Sequence, residues 1–232
     1  MVKKILKKSA LAAALLHLVF MLATSASIVY LKYNNPEKSS LMLYREMFRG
    51  EKKSSLRFME LGSIPPDIVK MIIATEDYRF HEHPGIDIDA IKRAYFINKK
   101  AGYFMYGGST ITQQLARTMF LCPKKLLVRK YLEVIIAFEL ELILSKERIL
   151  ELYVNYAEWG NGVYGISAAA WHYYTRECDR LSPDEASRLI AILAGPCTTT
   201  PATIGSRKFI LNRYNTIKFR YYTYLKFNDL GR

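Results

Sequence analysis

The chain has 232 residues, 50% of them hydrophobic, and carries no Ser/Gly-rich or Gln/Asn-rich tract. This composition excludes a disordered protein and suits one ordered domain of about 200 residues beside a separate N-terminal segment. The net charge of +13, from 34 basic and 21 acidic residues, predicts an anionic partner: nucleic acid, a membrane surface or a phosphate-bearing substrate.

The N-terminal segment narrows this choice. A lysine-rich tail, residues 1–8, precedes an uncharged apolar run, 9–31. At about 23 residues and ~1.5 Å per residue, this run can cross a ~30 Å hydrocarbon core, and the lysines place residues 1–8 in the cytoplasm. The alternative is a cleaved signal peptide, for which "ATSAS" at 23–27 offers a site, but the length of the run favours an uncleaved anchor. We therefore predict a single-pass protein of the cytoplasmic (inner) membrane with a periplasmic or extracytoplasmic domain, which excludes nucleic acid as its partner.

Residues 32–60 are polar and bear lysine and serine, and we predict a juxtamembrane stalk with one short element around Leu41 to Phe48. The globular domain then occupies residues 61–232. Its first helix follows Pro65 and Pro66, and one face of that helix carries Ile68, Met71, Ile72 and Thr75.

Further helices are indicated by capping residues and by apolar residues three and four positions apart. The helix after Asp87 or Asp89 is expected to turn three residues inward: Ile91, Ala94 and Tyr95. The others begin near Ile111, span Leu126 to Leu144, and follow the caps Ser145 and Ser182. No convincing alternating strand pattern occurs in the domain, so the predicted fold is all-α.

Two acidic residues, Glu76 and Asp77, follow an apolar helix in "ATEDYRF". Burial of an ionised carboxylate costs several kcal/mol unless the group is paired or changes its protonation state. These acids therefore either turn outward at a helix end or belong to a site.

Basic and amide residues recur at helical spacing further along the chain. Gln114 and Arg117 share one helix face, as do Arg129 and Glu133. Taken alone, the Arg129/Glu133 pair is most simply a surface ion pair worth a few tenths of a kcal/mol.

The cysteines and histidines do not predict a metal site. Cys122, Cys178 and Cys197 match no zinc spacing and are expected to be small core residues. His81 and His83 lie two positions apart with no clear third ligand.

Four motifs occur in a fixed order: "EDYRFHEHPGID" (76–87), "GGSTITQQLAR" (107–117), "RKYLEVIIAFELE" (129–141) and "KERILELYVNYAEWGNGVYGISAAA" (146–170). Over about residues 64–194 the chain resembles the peptidoglycan glycosyltransferases of family 51. The segment "EWGNGVYG" makes it look most like the monofunctional biosynthetic transglycosylases. The sequence has no Ser-x-x-Lys or Lys-Thr-Gly motif of a transpeptidase.

This resemblance implies a lysozyme-like, mainly helical fold whose cleft faces the membrane. The substrate would be lipid II, and the growing glycan strand would pass to an acceptor sugar hydroxyl with release of undecaprenyl pyrophosphate. No organic cofactor is implied, and a divalent cation, Mg²⁺ or Mn²⁺, stays open. The implied partners are lipid II, the growing strand, the membrane, and components of the cell-division or elongation machinery.

The resemblance also assigns roles to residues. Glu76 would be the general base, and burial among apolar and aromatic neighbours would suit it to that role. Glu133 would be the second catalytic glutamate, which orients basic groups, assists departure or binds a cation. The implied substrate-binding residues are Asp77, Phe80, His83, Ser109, Thr110, Gln114, Arg117, Arg129 and Lys130. Many relatives carry Lys-Asn where this chain has Arg117-Thr118, and arginine keeps the charge.

Two rival functions fit parts of the sequence. A lysozyme-like hydrolase also needs a carboxylate in a sugar-binding cleft, but it does not need the cationic, hydroxyl-rich set between Ser109 and Lys130. A non-catalytic cell-wall scaffold would explain the anchor and the charge, but it leaves Glu76, Gln114 and Glu133 unexplained.

Overall fold

The computed structural model describes residues 2–50, 56–103, 107–124 and 126–229. These residues form ten α-helices and one two-stranded antiparallel sheet. The strands are β1 (Glu158–Gly160) and β2 (Val163–Tyr164). The helices are α1 (Val2–Tyr33), α2 (Ser40–Arg49), α3 (Pro66–Glu76), α4 (Ile88–Ala101), α5 (Ile111–Phe120), α6 (Leu127–Ile143), α7 (Lys146–Tyr156), α8 (Ile166–Tyr174), α9 (Pro183–Ile192) and α10 (Lys208–Asp229).

The all-α prediction is confirmed, because helices dominate the described residues. The small sheet was not predicted. Its strands pair Glu158 with Tyr164 and Gly160 with Val163, and they are too short to produce an alternating pattern in the sequence.

The predicted helix starts are confirmed by their caps. Asp87, rather than Asp89, caps α4 and accepts a hydrogen bond of 2.8 Å from the Ala90 N–H. Thr110 and Gln113 form a reciprocal capping box at the start of α5. Ser145 caps α7, and Ser182 caps α9. Local side-chain chemistry therefore fixes where these helices begin.

The core is built around α5, which packs against α2, α6 and α7. Ile111, Leu115 and Ala116 of α5 are buried. The largest buried side chains elsewhere lie near the end of α7 and in the sheet: Tyr156, Trp159 and Tyr164. This packing holds the N-terminus of α5 at a fixed place beside the end of α3.

The inward face predicted for α4 is partly wrong, and the apolar face of α6 does not meet the core. On α4 only Ala94 is buried, whereas Ile91 and Tyr95 are exposed. On α6 the apolar stripe points outward, with Leu127 and Leu142 exposed, while the buried positions are Glu133, Ile136, Ala137, Glu139 and Leu140. The spacing of apolar residues located both helices correctly, but it did not indicate which side of each helix meets the core. The side of α6 that does so carries two buried glutamates.

Helix α1 is long and apolar enough to cross a membrane by length and composition, and it contains the predicted anchor, residues 9–31. It packs against α6. The Thr24 hydroxyl donates a 2.6 Å hydrogen bond to Glu139, and the Arg148 guanidinium donates one of 2.7 Å to the Leu31 carbonyl. This helix fits a membrane anchor that is attached to the domain by specific polar contacts.

The segment predicted as a stalk contains α2, and α2 packs against the domain. Met42 is buried, and Arg45 forms a buried 2.8 Å ion pair with Glu158. Residues 40–49 therefore contact the globular part of the chain. Residues 51–55 of the predicted stalk lie outside the described residues.

The three cysteines are free thiols in different environments. Cys178 is buried, and burial raises the pKa of its thiol to about 12. Cys122 is exposed, so the expectation of a core position is wrong there. Cys197 is partly buried and accepts a 3.1 Å hydrogen bond from Arg45.

Candidate active site

Glu76 is the last residue of α3, and the packing of that helix decides where its side chain goes. Ile68, Met71 and Ile72 are buried against the core, which fixes the rotation of α3 about its axis. The helix ends at Asp77. The Glu76 side chain is left 9% exposed, so it is neither on the open surface nor sealed in the core.

Polar partners from two other helices hold the Glu76 carboxylate. Arg213 of α10 forms a salt bridge with Oε1. The Gln114 amide of α5 donates a 3.0 Å hydrogen bond to Oε2. The sequence led us to expect apolar and aromatic surroundings, but the direct partners of Glu76 are a cation and an amide.

Tyr153 of α7 sets the orientation of Gln114. Its hydroxyl donates a 3.2 Å hydrogen bond to Gln114 Oε1, which leaves the amide nitrogen directed at Glu76. Burial, and then the charge of Glu76, raise the pKa of Tyr153 well above its usual value. The phenol therefore stays protonated and remains a donor.

Asp77 and His83 support the loop that follows α3. Asp77 accepts a 3.0 Å hydrogen bond from the Ile111 N–H at the start of α5, and it lies 2.9 Å from His83 Nε2. His83 Nδ1 accepts from the Gly85 N–H at 3.2 Å, so Nε2 carries the proton and donates to Asp77. Both side chains are buried. Their contacts join the end of α3 to the start of α5.

The other predicted residues of this loop lie in the same framework. The Thr110 hydroxyl donates a 2.6 Å hydrogen bond to the Gly85 carbonyl. Gly85 has φ +91°, and a Cβ there would lie 3.1 Å from the Ala137 carbonyl oxygen, so glycine is required. Phe80 is fully buried, with Lys146 Nζ 4.5 Å from its ring centroid.

Glu133 forms a second carboxylate cluster on α6. Arg129 Nη1 lies 2.7 Å from its Oε2, and Lys130 forms an ion pair with its Oε1. The Glu133 side chain is only 1% exposed, so the surface-pair interpretation of Arg129/Glu133 is wrong. Lys130 also donates a 3.1 Å hydrogen bond to the Ser109 hydroxyl.

Two cavities lie beside these clusters. One, of about 260 Å³, is lined by Glu76, Asp77, Ser109 and Thr110 among other residues. The second, of about 350 Å³, is lined by Gln114, Arg117, Arg129 and Tyr153 among others. Gln114 donates a hydrogen bond to Glu76 and also lines the second cavity, so its side chain links the Glu76 carboxylate to the wall of that cavity. Phe80, His83 and Glu133 line neither cavity.

Arg117 differs from the other arginines of the site. Within the described part of the chain it has no ion pair, although it lines the cavity with Arg129. Arg129 has a buried Nε that lacks a hydrogen-bond partner there. Both guanidinium groups therefore have donors available to an anion in this cavity.

Known proteins are similar in sequence to this chain over most of its length. Residues 43–220 match the family model described as Transglycosylase. A protein of Nitrosospira multiformis named biosynthetic peptidoglycan transglycosylase is 45% identical over 74% of this chain and 76% of its own length. Proteins with the same name from Azoarcus sp. (strain BH72) and Laribacter hongkongensis are 38% and 37% identical, over 82% and 78% of this chain and 84% and 81% of their own lengths.

The chain belongs to the transglycosylase family. It is therefore a glycosyltransferase. The match begins at residue 43, inside α2, which agrees with the packing of that helix on the domain.

The glycosyltransferase site does not fit a resident divalent cation at Glu133. Both oxygens of that carboxylate are already bound to cationic side chains, and a metal ion would have to displace one of them. Among the described residues no group of three or more His, Cys, Asp or Glu side chains is placed to hold a metal.

Three contributors to the site were missed by sequence reasoning. Arg213 lies far along the chain from Glu76, in a helix with no distinctive motif, so no local signal pointed to it. Tyr153 was not singled out from the motif that contains it. Arg45 lies in the predicted stalk, yet it lines the second cavity together with Arg117. Only Tyr153 carried a usable signal, because it lies inside one of the four ordered motifs.

Proposed function

We propose that this glycosyltransferase polymerises the glycan strands of peptidoglycan from lipid II and releases undecaprenyl pyrophosphate. Membership of the transglycosylase family and the names of its relatives support glycan polymerisation. The observation that carries the choice of substrate is a pair of cavities on either side of the Gln114–Glu76 hydrogen bond. One is lined by Glu76, and the arginines that line the other include Arg117 and Arg129, which have donors available to an anion.

In this proposal Glu76 is the general base. An acceptor sugar hydroxyl is a poor nucleophile until its proton is removed, and a carboxylate at the wall of a cavity can take that proton. The hydroxyl oxygen then bonds to the anomeric carbon of the growing strand. The bond from that carbon to the pyrophosphate oxygen breaks, and the leaving group takes the electron pair.

The second cavity would bind the leaving group. A pyrophosphate is a good leaving group, so it needs cationic donors more than it needs a proton. Arg117 and Arg129 line the cavity, and Arg129 is held in place by Glu133. Lys130, placed by Glu133 and Ser109, adds charge nearby. In this proposal Glu133 therefore orients the basic groups.

The proposed membrane placement rests on α1 and on apolar surface outside it. We propose that α1 stays uncleaved and crosses the cytoplasmic (inner) membrane, with residues 1–8 in the cytoplasm and the domain outside. Leu127 and Val128 at the start of α6 are exposed, and Tyr131, one turn later, lies beside His17 of α1 with ring centroids 5.9 Å apart. The membrane that surrounds α1 would also cover this apolar surface, near the lipid of the substrate. Division or elongation proteins stay predicted partners.

A topology experiment tests the anchor. A reporter fused after Arg232 is expected to be active only outside the cytoplasm, and N-terminal sequencing of extracted protein is expected to find residues that precede Ser9. A mature chain that begins near Ser27 would contradict the anchor and favour a signal peptide.

The function is tested with two substrates: lipid II, and preformed glycan without pyrophosphate. The purified protein should convert lipid II into long glycan on a gel and leave preformed glycan intact. The same assay, run with Mg²⁺, with Mn²⁺ and with chelator, tests the divalent cation. Fragmentation of preformed glycan without consumption of lipid II would favour the hydrolase instead.

A further inference from the structure

Arg213 reaches the candidate base from a distant part of the chain. It lies on α10, and its guanidinium forms a salt bridge with Glu76 Oε1. Its side chain is 16% exposed, and its Nε is buried without a hydrogen-bond partner among the described residues. A surface arginine would be free to leave its partner, but Arg213 is confined beside the carboxylate.

Helix α10 is held against the domain by a network one turn from Arg213. Asp184 of α9 accepts hydrogen bonds from the Tyr214 hydroxyl at 2.5 Å and from Lys218 Nζ at 2.7 Å. Although burial opposes it, these two donors and Arg188 hold the pKa of Asp184 well below its usual range. A second contact joins Tyr221 of α10 to Asp67 of α3. Arg213 is therefore presented to Glu76 by a rigid element.

The two partners of Glu76 act on different oxygens. Arg213 binds Oε1 and Gln114 binds Oε2, so together they fix the plane of the carboxylate. Each oxygen retains further acceptor capacity for a sugar hydroxyl. Tyr153 of α7 is close enough for its pKa to respond to the charges of Glu76 and Arg213. Arg220 of α10 lines one cavity with Glu76 and another with Arg213.

We propose that Arg213 is a positioning residue for the transfer reaction: it holds the Glu76 carboxylate aligned to accept the proton of the acceptor hydroxyl. This inference rests on the proposed function, in which Glu76 is the base. It also makes the activity depend on α10, because Arg213 contacts Glu76 only while that helix is packed against the domain.

The alternative is that Arg213 binds a phosphate of the substrate, and this role can be distinguished from positioning of Glu76. Arg213, Lys208 and Arg220 line a further cavity of about 490 Å³ beside Thr75. If Arg213 instead bound a substrate phosphate there, its loss would raise KM for lipid II and leave kcat largely unchanged.

The test compares kcat and KM of Arg213→Ala, Arg213→Gln and Arg213→Lys with those of the wild type, using lipid II as substrate. The matched control is Arg57→Ala, which removes an arginine from an exposed ion pair with Glu177. Thermal unfolding of each detergent-solubilised variant reports whether it folds. If Arg213→Ala is unstable, Arg213→Gln decides, because it keeps donors while removing the charge.

Arg213→Ala and Arg213→Gln should lower kcat about ten- to a hundred-fold with KM nearly unchanged. Arg213→Lys should recover most of the activity because it keeps a cation beside Glu76, and the control should match the wild type.

Three results would overturn the inference: unchanged kcat in a folded Arg213→Ala or Arg213→Gln variant, an effect confined to KM, or an Arg213→Lys variant that is as impaired as Arg213→Ala. The same experiment separates this failure from failure of the proposed function. A wild type that does not polymerise lipid II, or a folded Glu76→Gln variant that still does, contradicts the proposed function itself. An active wild type, an inactive Glu76→Gln and an unaffected Arg213→Ala contradict only the role of Arg213.

Discussion

Glu76 and Glu133 are both largely buried, and each is bound by an arginine, but their surroundings differ. Glu133 receives both of its cations, Arg129 and Lys130, from its own helix, three and four positions earlier. Glu76 receives one cation from α10 and one neutral amide from α5. Glu76 lines a cavity, whereas Glu133 lines neither cavity of the site.

This difference suits the two carboxylates to different tasks. Two cations around one carboxylate leave an excess of positive charge, and this attracts an anion to the neighbouring cavity. Glu76 is bound by only one cation and one amide, so its oxygens can still accept a hydrogen bond from a group in the cavity that it lines. The comparison therefore assigns proton transfer to Glu76 and support of the pyrophosphate site to Glu133.

The largest expected effect is that of Glu76→Gln. Glutamine has nearly the same shape but cannot accept the proton, so turnover of lipid II should fall about 10²- to 10⁴-fold. Gel analysis of glycan products measures the loss, and thermal unfolding checks that the variant is folded. Substantial polymerisation by a folded Glu76→Gln protein would mean that another group is the base.

Glu133→Gln should have the next largest effect. Without its negative charge, Arg129 and Lys130 lose their shared partner, and turnover should fall about ten- to a hundred-fold. Breaking a buried ion pair should also lower stability, by about 3–5 kcal/mol at most. If added Mg²⁺ or Mn²⁺ restored the lost activity, Glu133 would act through a cation, and the supporting role assigned to it would be wrong.

The arginines of the second cavity test whether charge or shape matters there. Arg117→Ala or Arg129→Ala should remove contacts with the pyrophosphate worth about 1.5–3 kcal/mol each, or roughly ten- to a hundred-fold in kcat/KM. Arg117→Lys should have a mild effect because it keeps the charge. A loss for Arg117→Lys as large as that for Arg117→Ala would show that the charge is not what this position supplies.

The smallest expected effect concerns the loop after Glu76. Burial raises the pKa of Asp87, but the Ala90 N–H and the charges of Arg79 and Arg93 outweigh it, so the pKa is below its usual value. Because the pKa of Asp87 is lower in the folded than in the unfolded chain, its ionised carboxylate stabilises the fold at any pH above the pKa of the unfolded state. This stabilisation is lost as the pH falls through the pKa of the folded state. Asp87→Asn keeps a capping side chain, so it should cost about 1 kcal/mol or less at pH 7.

Thermal unfolding in detergent at pH 7 and at successively lower pH measures this effect. The difference between the wild type and Asp87→Asn should shrink below about pH 4. A difference that stays constant down to pH 2 would show that the negative charge of Asp87 does not stabilise this loop. Turnover at pH 7 should change little, which distinguishes support of this loop from the chemistry at Glu76.

The sequence predicted the helices of this domain well because their starts are encoded locally. The side chains of Thr110, Ser145 and Ser182 each accept a hydrogen bond from the backbone N–H three residues later, as their spacing indicated. The faces of α4 and α6 could not be predicted in the same way. Apolar periodicity indicates which residues share a face, but it does not indicate whether that face meets the core, a membrane or α1.

The residues of the candidate site were named mainly through ordered motifs, and the motifs are where the structure brings charged groups together. The partners of Glu133 were visible in the sequence because they lie one turn away. The partner of Glu76 on α10 was not, because only tertiary packing joins Arg213 to α3. The short strands β1 and β2 escaped prediction for a different reason, because they are too short to produce an alternating pattern.

The most direct test of the division between the two glutamates measures lipid II affinity and turnover side by side for Glu76→Gln and Glu133→Gln. We expect Glu76→Gln to bind lipid II within about threefold of the wild-type Kd while its turnover is nearly lost, whereas Glu133→Gln should weaken binding as well as turnover. A folded Glu76→Gln variant that loses affinity and turnover in equal proportion, or that keeps its turnover, would contradict the assignment of proton transfer to Glu76.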